Sequence, residues 1–433
     1  MTVAALAASL AALASGARRD VFAIVGGRVV TVSGPVYDNA TVVVRDGLIE
    51  AVGAGVAAPA DARVIDAKGL TLTPGLIDAF GGVGLPTAPA RPGGAGGGGA
   101  SPAPAAAPAA NPLAPQALAL DRVRPAEALK ARDQGVTTAL VIPKEGVLPG
   151  RSVILNLSGE KAEGMVLKQP AALHLHMATL TRQYPGALMG TVAYARQALY
   201  DARAYREEWA AYDRSPRGKK RPRYDAALEA WQDVLSGREP LVVTATRAND
   251  VRRALALADE FKIKVAVAGA SQASRLAGLI KQRSLPLLVS VNFDPPRAAA
   301  FFGAEDEERE RKDIEEAQKN PAELHKAGVR FALVSGYAAS FLDGIRKAVE
   351  QGLPREAALK AVTLDAAEAV GIADRTGSVE TGKIANLVLW SGEPLAKDAK
   401  VKMVFVDGQL YEPDERPDRR GEPSPSPSPE VER

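Results

Sequence analysis

The residues able to do chemistry in this chain form a short inventory. Cysteine is absent, and the only histidines are His174, His176 and His325. Disulfides, thiolate zinc sites and cysteine nucleophiles are therefore excluded. His174 and His176 stand in the apolar run "AALHLHM", residues 171 to 177. On a strand that spacing turns both imidazoles to one face, where they could share a divalent metal such as zinc. The sequence identifies no third ligand, and two hydrogen-bonded strand histidines are the plainer reading. His325, in "PAELHKAGV", falls on a helix before a strand and reads as a helix surface residue. Asp78 and Glu145 lie near predicted strand ends, where a carboxylate pair could serve as acid and base, but no spacing brings them together. Gly81, Gly82 and Gly84 form "GGVG", which lacks both the Lys-Ser/Thr and the G-x-G-x-x-G context of a phosphate cradle.

The elements that must position these groups follow from composition and pattern. The 433 residues exceed what one ordinary domain needs. Lys and Arg (54) nearly balance Asp and Glu (51), so nothing in the overall charge calls for nucleic acid. The basic run "DRSPRGKKRPRYD", 213 to 225, has acid nearby and reads as a solvated helix and loop. Residues 1–19 form an apolar run with Ser15 and Ala17 spaced like a signal-peptidase site before Arg18, which predicts export, periplasmic or extracellular; if the run is only an Ala-rich helix, the chain is cytoplasmic. The run is too short for a membrane span, and none is expected elsewhere. Alternating β-rich segments over 20–72 and 382–412, with Asp-Gly turn signals, predict one β-sandwich built from both chain ends. Between them, over 73–381, apolar strand-like runs alternate with charged helical runs. That is the pattern of an α/β fold with a parallel sheet, and the number of units predicts a TIM-like barrel. The Gly/Pro/Ala stretch 86–115 and the tail 413–433 lack large apolar side chains in any period and predict disorder.

The blocks "VVVRDGLIEAVG", "ARVIDAKGLTLTPGLIDA" and "AVTLDAAEAVGIADRTGSVETGKIANLVLW", with "VKMVFVDGQ" beyond, resemble the amidohydrolase superfamily, in particular its imidazolonepropionase-like and dihydroorotase-like members. The resemblance implies a barrel flanked by a sandwich, and a His-x-His metal pair on the strand after "PGLID". Those two places are Phe80 and Gly82 here. It also implies single metal-binding histidines in the blocks that read "VVTATRAND" and "VAVAGASQA", and neither has one. The last barrel strand would end in Gly-Ser-Asp, with the Asp as ligand and base; this chain has Val334, Ser335 and Gly336.

Hydrolysis of this type needs a Lewis acid and the ligands that hold it. The leading expectation is thus a degenerate family member without catalytic residues or cofactor, which binds a small-molecule ligand or pairs with a second subunit, either its own copy or an active paralogue. The alternatives are a hydrolase of amide or cyclic C–N bonds whose zinc is held by relocated ligands including His174 and His176, and an interaction scaffold.

Overall fold

The computed structural model describes residues 21–86, 112–293, 304–338 and 340–413. The expected leader 1–19, residues 87–111 of the expected excursion and residues 414–433 of the expected tail lie outside them. From Pro112 on the chain is bonded: the Val147 and Leu148 amides donate to the Pro112 carbonyl at 2.9 and 3.0 Å, and Leu113 bridges Leu148.

Both chain ends enter one eight-stranded sheet. Its first part is β1 (Phe22–Val30), β2 (Val36–Arg45), β3 (Leu48–Gly53), β4 (Arg63–Asp66) and β5 (Thr71–Pro74). Its last part is β16 (Leu387–Trp390), β17 (Val401–Val406) and β18 (Gln409–Tyr411), in the order β18-β17-β16-β5-β1-β2-β3 with β4 beside β1. The ends meet where β16 runs antiparallel to β5, Leu387 opposite Pro74 and Trp390 opposite Thr71. Asp46-Gly47 and Asp407-Gly408 make tight turns with positive φ at both residues (53° and 83°, 52° and 72°), as two-residue hairpin loops require. The turns touch each other. A Cβ on Gly408 would lie 2.6 Å from the Gly47 Cα, so only glycine fits there. The alternating apolar residues of the sheet enclose a core that includes Phe22, Ile24, Val42, Leu72, Leu389 and Phe405.

The middle of the chain is mixed α/β. Seven strands run parallel: β6 (Leu76–Gly81) beside β7 (Val136–Val141), and β11 (Leu173–His176) through β12 (Leu241–Ala245), β13 (Val265–Gly269), β14 (Leu287–Ser290) and β15 (Ala332–Val334). Short strands β8 (Gly150–Arg151), β9 (Val153–Asn156) and β10 (Val166–Lys168) extend the two groups antiparallel. Helices cover the strands by their apolar faces. Ala248–Phe261, for example, buries Val251, Ala254, Leu255 and Phe261 at helical spacing and stops at Lys262, which turns left-handed at φ 57°.

The ladders do not close into the single barrel that the alternation predicted. They form a four-stranded and a six-stranded sheet. At one seam the wall continues through the His176 amide donating to Val147 O (2.8 Å), and at the other through the Gly336 amide donating to Phe80 O (3.2 Å). β15 is only three residues long, and Gly336 beyond it leaves the extended region at φ 55°, which ends regular pairing with β6.

A buried polar cluster joins the terminal sheet to these strands. Asn386 Nδ2 donates to Thr138 Oγ1 (3.1 Å) and Asn156 Oδ1 (3.0 Å), Asn156 Nδ2 donates to Asp407 Oδ1 (2.7 Å), and the Asp407 amide donates to Asn386 Oδ1 (2.9 Å). Trp390, fully buried, donates from Nε1 to Thr73 Oγ1 at 2.9 Å. Removing one member strands its partners, which typically costs about 1–3 kcal/mol. Asn156→Ala should therefore lower unfolding free energy in urea by roughly 2 kcal/mol, with Asn386→Ala adding less than its own single effect. A change below about 0.5 kcal/mol, the size of an ordinary surface substitution, would show that the cluster does not bind the two parts together.

Candidate functional site

The strand pattern brings three of the sequence candidates together. On β6, Asp78 and Phe80 share a face; on β11, His174 and His176 do. Phe80 is 2% exposed. Its ring stacks on His174 (centroids 5.8 Å apart, 29° between planes) and meets His176 edge-on at 6.4 Å. Tyr337, which follows the last strand, closes the other side at 5.5 Å, also edge-on. The Tyr337 hydroxyl donates to Ile142 O (3.1 Å) at the end of the β7 segment, and Lys144 Nζ stands 5.8 Å above its ring. Tyr337 holds φ 69°, a left-handed conformation uncommon for a bulky residue.

Each histidine uses one ring nitrogen and leaves the other unpaired. Ser152 Oγ donates to Ala172 O (3.2 Å) and so accepts from His174 Nε2 at 2.8 Å, which leaves His174 Nδ1 a bare lone pair. His176 interacts with the Lys144 and Gly146 backbone, while its Nε2 is buried without a partner. Burial pushes His174 well below the ordinary imidazole range, and neighbouring His176 adds to the shift. Burial lowers His176 to about 4, against the pull of the two backbone groups.

Asp78 is buried at 1% exposure. Its Oδ1 accepts from the Ser335 amide at 2.9 Å, tying β6 to the end of β15, while Oδ2 has no hydrogen-bond partner. Burial raises its pKa, and the Ser335 and Phe80 groups only partly offset that. Tyr337 is raised by burial first, then by Asp78 and Glu145. Both carboxylates thus lie within electrostatic reach of one phenol, although they do not form a pair. His325, on the helix Ala304–Lys326, lies elsewhere, beside a groove at the terminal sheet. The basic run 213–225 ends the helix Leu188–Arg214 and leads to Asp225, which caps the next helix.

The glycines have packing roles. A Cβ on Gly81 would come within 2.4 Å of Asp78 Oδ2 and 2.5 Å of Ser335 Oγ; one on Gly82 would meet Tyr337 Cδ1 at 3.0 Å; one on Gly84 would meet Ala128 Cβ at 2.7 Å. Gly336 is tighter still, with Ser290 Oγ 1.9 Å from the place of a Cβ. Among the described residues no three His, Cys, Asp or Glu side chains converge on one point as metal ligands do. Tyr337 and Ser152 escaped sequence reasoning, and Ser335 entered it only as part of the altered strand end. Only the left-handed residue after "VSG" could have drawn notice, and φ is not legible in a sequence. Where β11 to β13 end, Met177, Thr246, Arg247 and Gln272 border an open cleft of about 670 Å³.

The lowered His176 pKa fixes a pH dependence. Between pH 6.5 and about 4 the unfolded chain takes up a proton that the folded one refuses, so this contribution to stability is present above 6.5 and is lost as pH falls toward 4. Asp78 acts oppositely, because a raised carboxyl weakens the fold as pH climbs past 3.8. Comparing the wild type with His176→Asn cancels the Asp78 contribution. The wild type should lose about 3 kcal/mol more than the variant across that window in denaturant titrations. Parallel curves would show that His176 does not titrate as a buried group.

A family model described as "Amidohydrolase family" matches residues 296–411. Curated relatives match over short stretches: an imidazolonepropionase of Erwinia tasmaniensis is 48% identical over 59 residues, 14% of each chain, and a dihydroorotase of Geobacter sulfurreducens is 49% identical over 55 residues, 13% of each. The match thus spans about one-seventh of those relatives' length. An amidohydrolase structure from Thermotoga maritima MSB8 aligns with a TM-score of 0.76 at 24% identity, covering 90% of this chain and all of that one. A Xaa-Pro dipeptidase with bound methionine aligns at 0.56 and 16% identity, covering 91% and 100%. The family match at the C-terminal part and the likeness of fold over nine-tenths of the chain point the same way: residues 296–411 are similar to the amidohydrolase family, and the chain shares the fold of a solved amidohydrolase.

Proposed function

We propose that this chain is an amidohydrolase-superfamily member that has given up metal-dependent hydrolysis and serves as a ligand-binding or partner subunit. The observation that carries the reading is the Phe80 ring, buried against His174, His176 and Tyr337. The family implies a divalent metal, with ligands at the places of Phe80, Gly82 and Gly336. A phenyl ring offers no lone pair, and Gly82 and Gly336 are so closely packed by Tyr337 and Ser290 that a ligating side chain would displace its neighbours. The two unpaired lone pairs, His174 Nδ1 and His176 Nε2, find no third protein ligand among the described residues. The residues present do not fit the metal. Asp78 is engaged by backbone amides, and Tyr337 is held protonated by burial, so neither supplies a ready base.

The ligand-binding part of the reading is supported by the cleft at the strand ends, the end at which barrel proteins place their sites. We read the eight-stranded sheet as the flanking sandwich module and the parallel strands as a TIM-like barrel, and the leader 1–19 as an export signal. No helix among the described residues is long and apolar enough to cross a membrane. The rival reading, a hydrolase of amide or cyclic C–N bonds with zinc on relocated ligands, draws on the same two unpaired lone pairs.

The readings separate in an assay of the purified chain against dihydroorotate, hydantoin, imidazolonepropionate and dipeptides, with and without added zinc. Loss of the general base alone removes about 10²- to 10⁴-fold, and loss of the Lewis acid removes more. No turnover above buffer is expected. Turnover that chelators abolish, and that His174→Ala or His176→Ala also abolishes, would establish the relocated site instead.

A further inference from the structure

Away from the strand ends, a groove of about 570 Å³ runs between the terminal sheet and the helices that follow β15. Its volume lies in the range of small-molecule sites, which favour junctions between parts of a fold. The walls are apolar, formed by Val30, Val32 and Val36 on the sheet side and by Phe331 opposite. Val36 is 48% exposed. Val32 sits at φ 69°, where a β-branched residue is an outlier of the kind that clusters at ligand sites.

Charged groups of both signs line the same groove, and Arg28 is paired there with Glu393 at 2.6 Å. Asp365 is largely buried, at 14% side-chain exposure, and its Oδ1 has no hydrogen-bond partner. Lys360 Nζ is the near cation, and at 3.8 Å it is too far to donate. Arg355, exposed at the start of the helix Arg355–Ala361, has no ion-pair partner among the described residues. Asp365 Oδ1 is sealed from the groove, so a donor in the groove would reach the carboxylate through its other oxygen, for which no side-chain donor is present among the described residues. A free guanidinium is a fork for a carboxylate. An amine alone would leave Arg355 without an anion; an organic acid alone would leave Asp365 without a donor.

We infer that this groove binds a free amino acid with a large apolar side chain, its ammonium group bonded to Asp365, its carboxylate to Arg355, and its side chain against the valine wall. The site gives the ligand-binding half of the proposed function a ligand class and a second place, apart from the cleft at the strand ends, and rests on that reading only there, since a chain that hydrolysed its substrates at the strand ends would carry the same groove.

The test is calorimetric titration of the full chain with L-phenylalanine, phenethylamine and 3-phenylpropionate, which carry both charges, the amine only and the acid only. Saturable binding of one L-phenylalanine per chain is expected, with each analogue weaker by about tenfold or more, as loss of one charge-assisted bond implies. Asp365→Asn should weaken L-phenylalanine toward the level of 3-phenylpropionate, and Arg355→Gln toward that of phenethylamine, in variants that keep the wild-type melting temperature. Should Asp365→Asn fail to fold, exposed Arg355 and the analogue series still decide. Absence of saturable binding to the folded wild type, analogues that bind as tightly, or affinity unmoved by either substitution would overturn the inference. None of these results depends on the hydrolysis panel, so the two can fail separately.

Discussion

The Phe80 ring fills the centre of the parallel strands, and its neighbours are arranged to accept a hydrophobic group rather than a cation. Two imidazoles pack against it with their unpaired nitrogens buried, and Tyr337 closes over it in a left-handed backbone conformation. Interiors are close-packed, and here side chains fill the space between the strands. Gly82 leaves room for Tyr337, and Gly336 leaves room for Ser290, so the small residues and the aromatic ones are two halves of one packing solution.

That solution needs rigid walls. The strand ends around Phe80 are held by Asp78, which accepts from the Ser335 amide across the seam between β6 and β15, and by the Gly336 amide on Phe80 O. Behind them the cluster of Thr138, Asn156, Asn386 and Asp407 fixes the terminal sheet to the parallel strands, and Trp390 anchors the returning C-terminal strand on Thr73. The two Asp-Gly turns meet beside this cluster. The terminal sheet thus acts as a clamp. A buried polar network stabilises only when every member is satisfied, and this one sits where the two chain ends must find the middle.

Much of the fold was legible because it is written locally. Asp46-Gly47 and Asp407-Gly408 announced their hairpins by residue type, and runs such as "PLVVTAT" and "KVAVAGA" announced buried parallel strands by unbroken apolar character. The seams were not legible, since whether β15 pairs with β6 depends on where Gly336 leaves the extended region. The candidate site was legible only in parts. The His174–His176 spacing fixed a shared face, but its apposition to Phe80 joins residues far apart in sequence and obeys no periodicity. The role of the "GGVG" glycines is likewise tertiary: it is set by Asp78, Ser335, Tyr337 and Ala128, side chains that no spacing rule brings near.

The central claim is that the space between the parallel strands around Phe80 is a packed aromatic core and not a metal centre. It is tested most directly by metal stoichiometry of the full chain, purified without chelator after growth with zinc, manganese and iron supplied. The account predicts substoichiometric metal, unchanged when His174 and His176 are replaced together by Gln in protein that remains folded. One tightly held ion per chain, lost in that double variant, would contradict it.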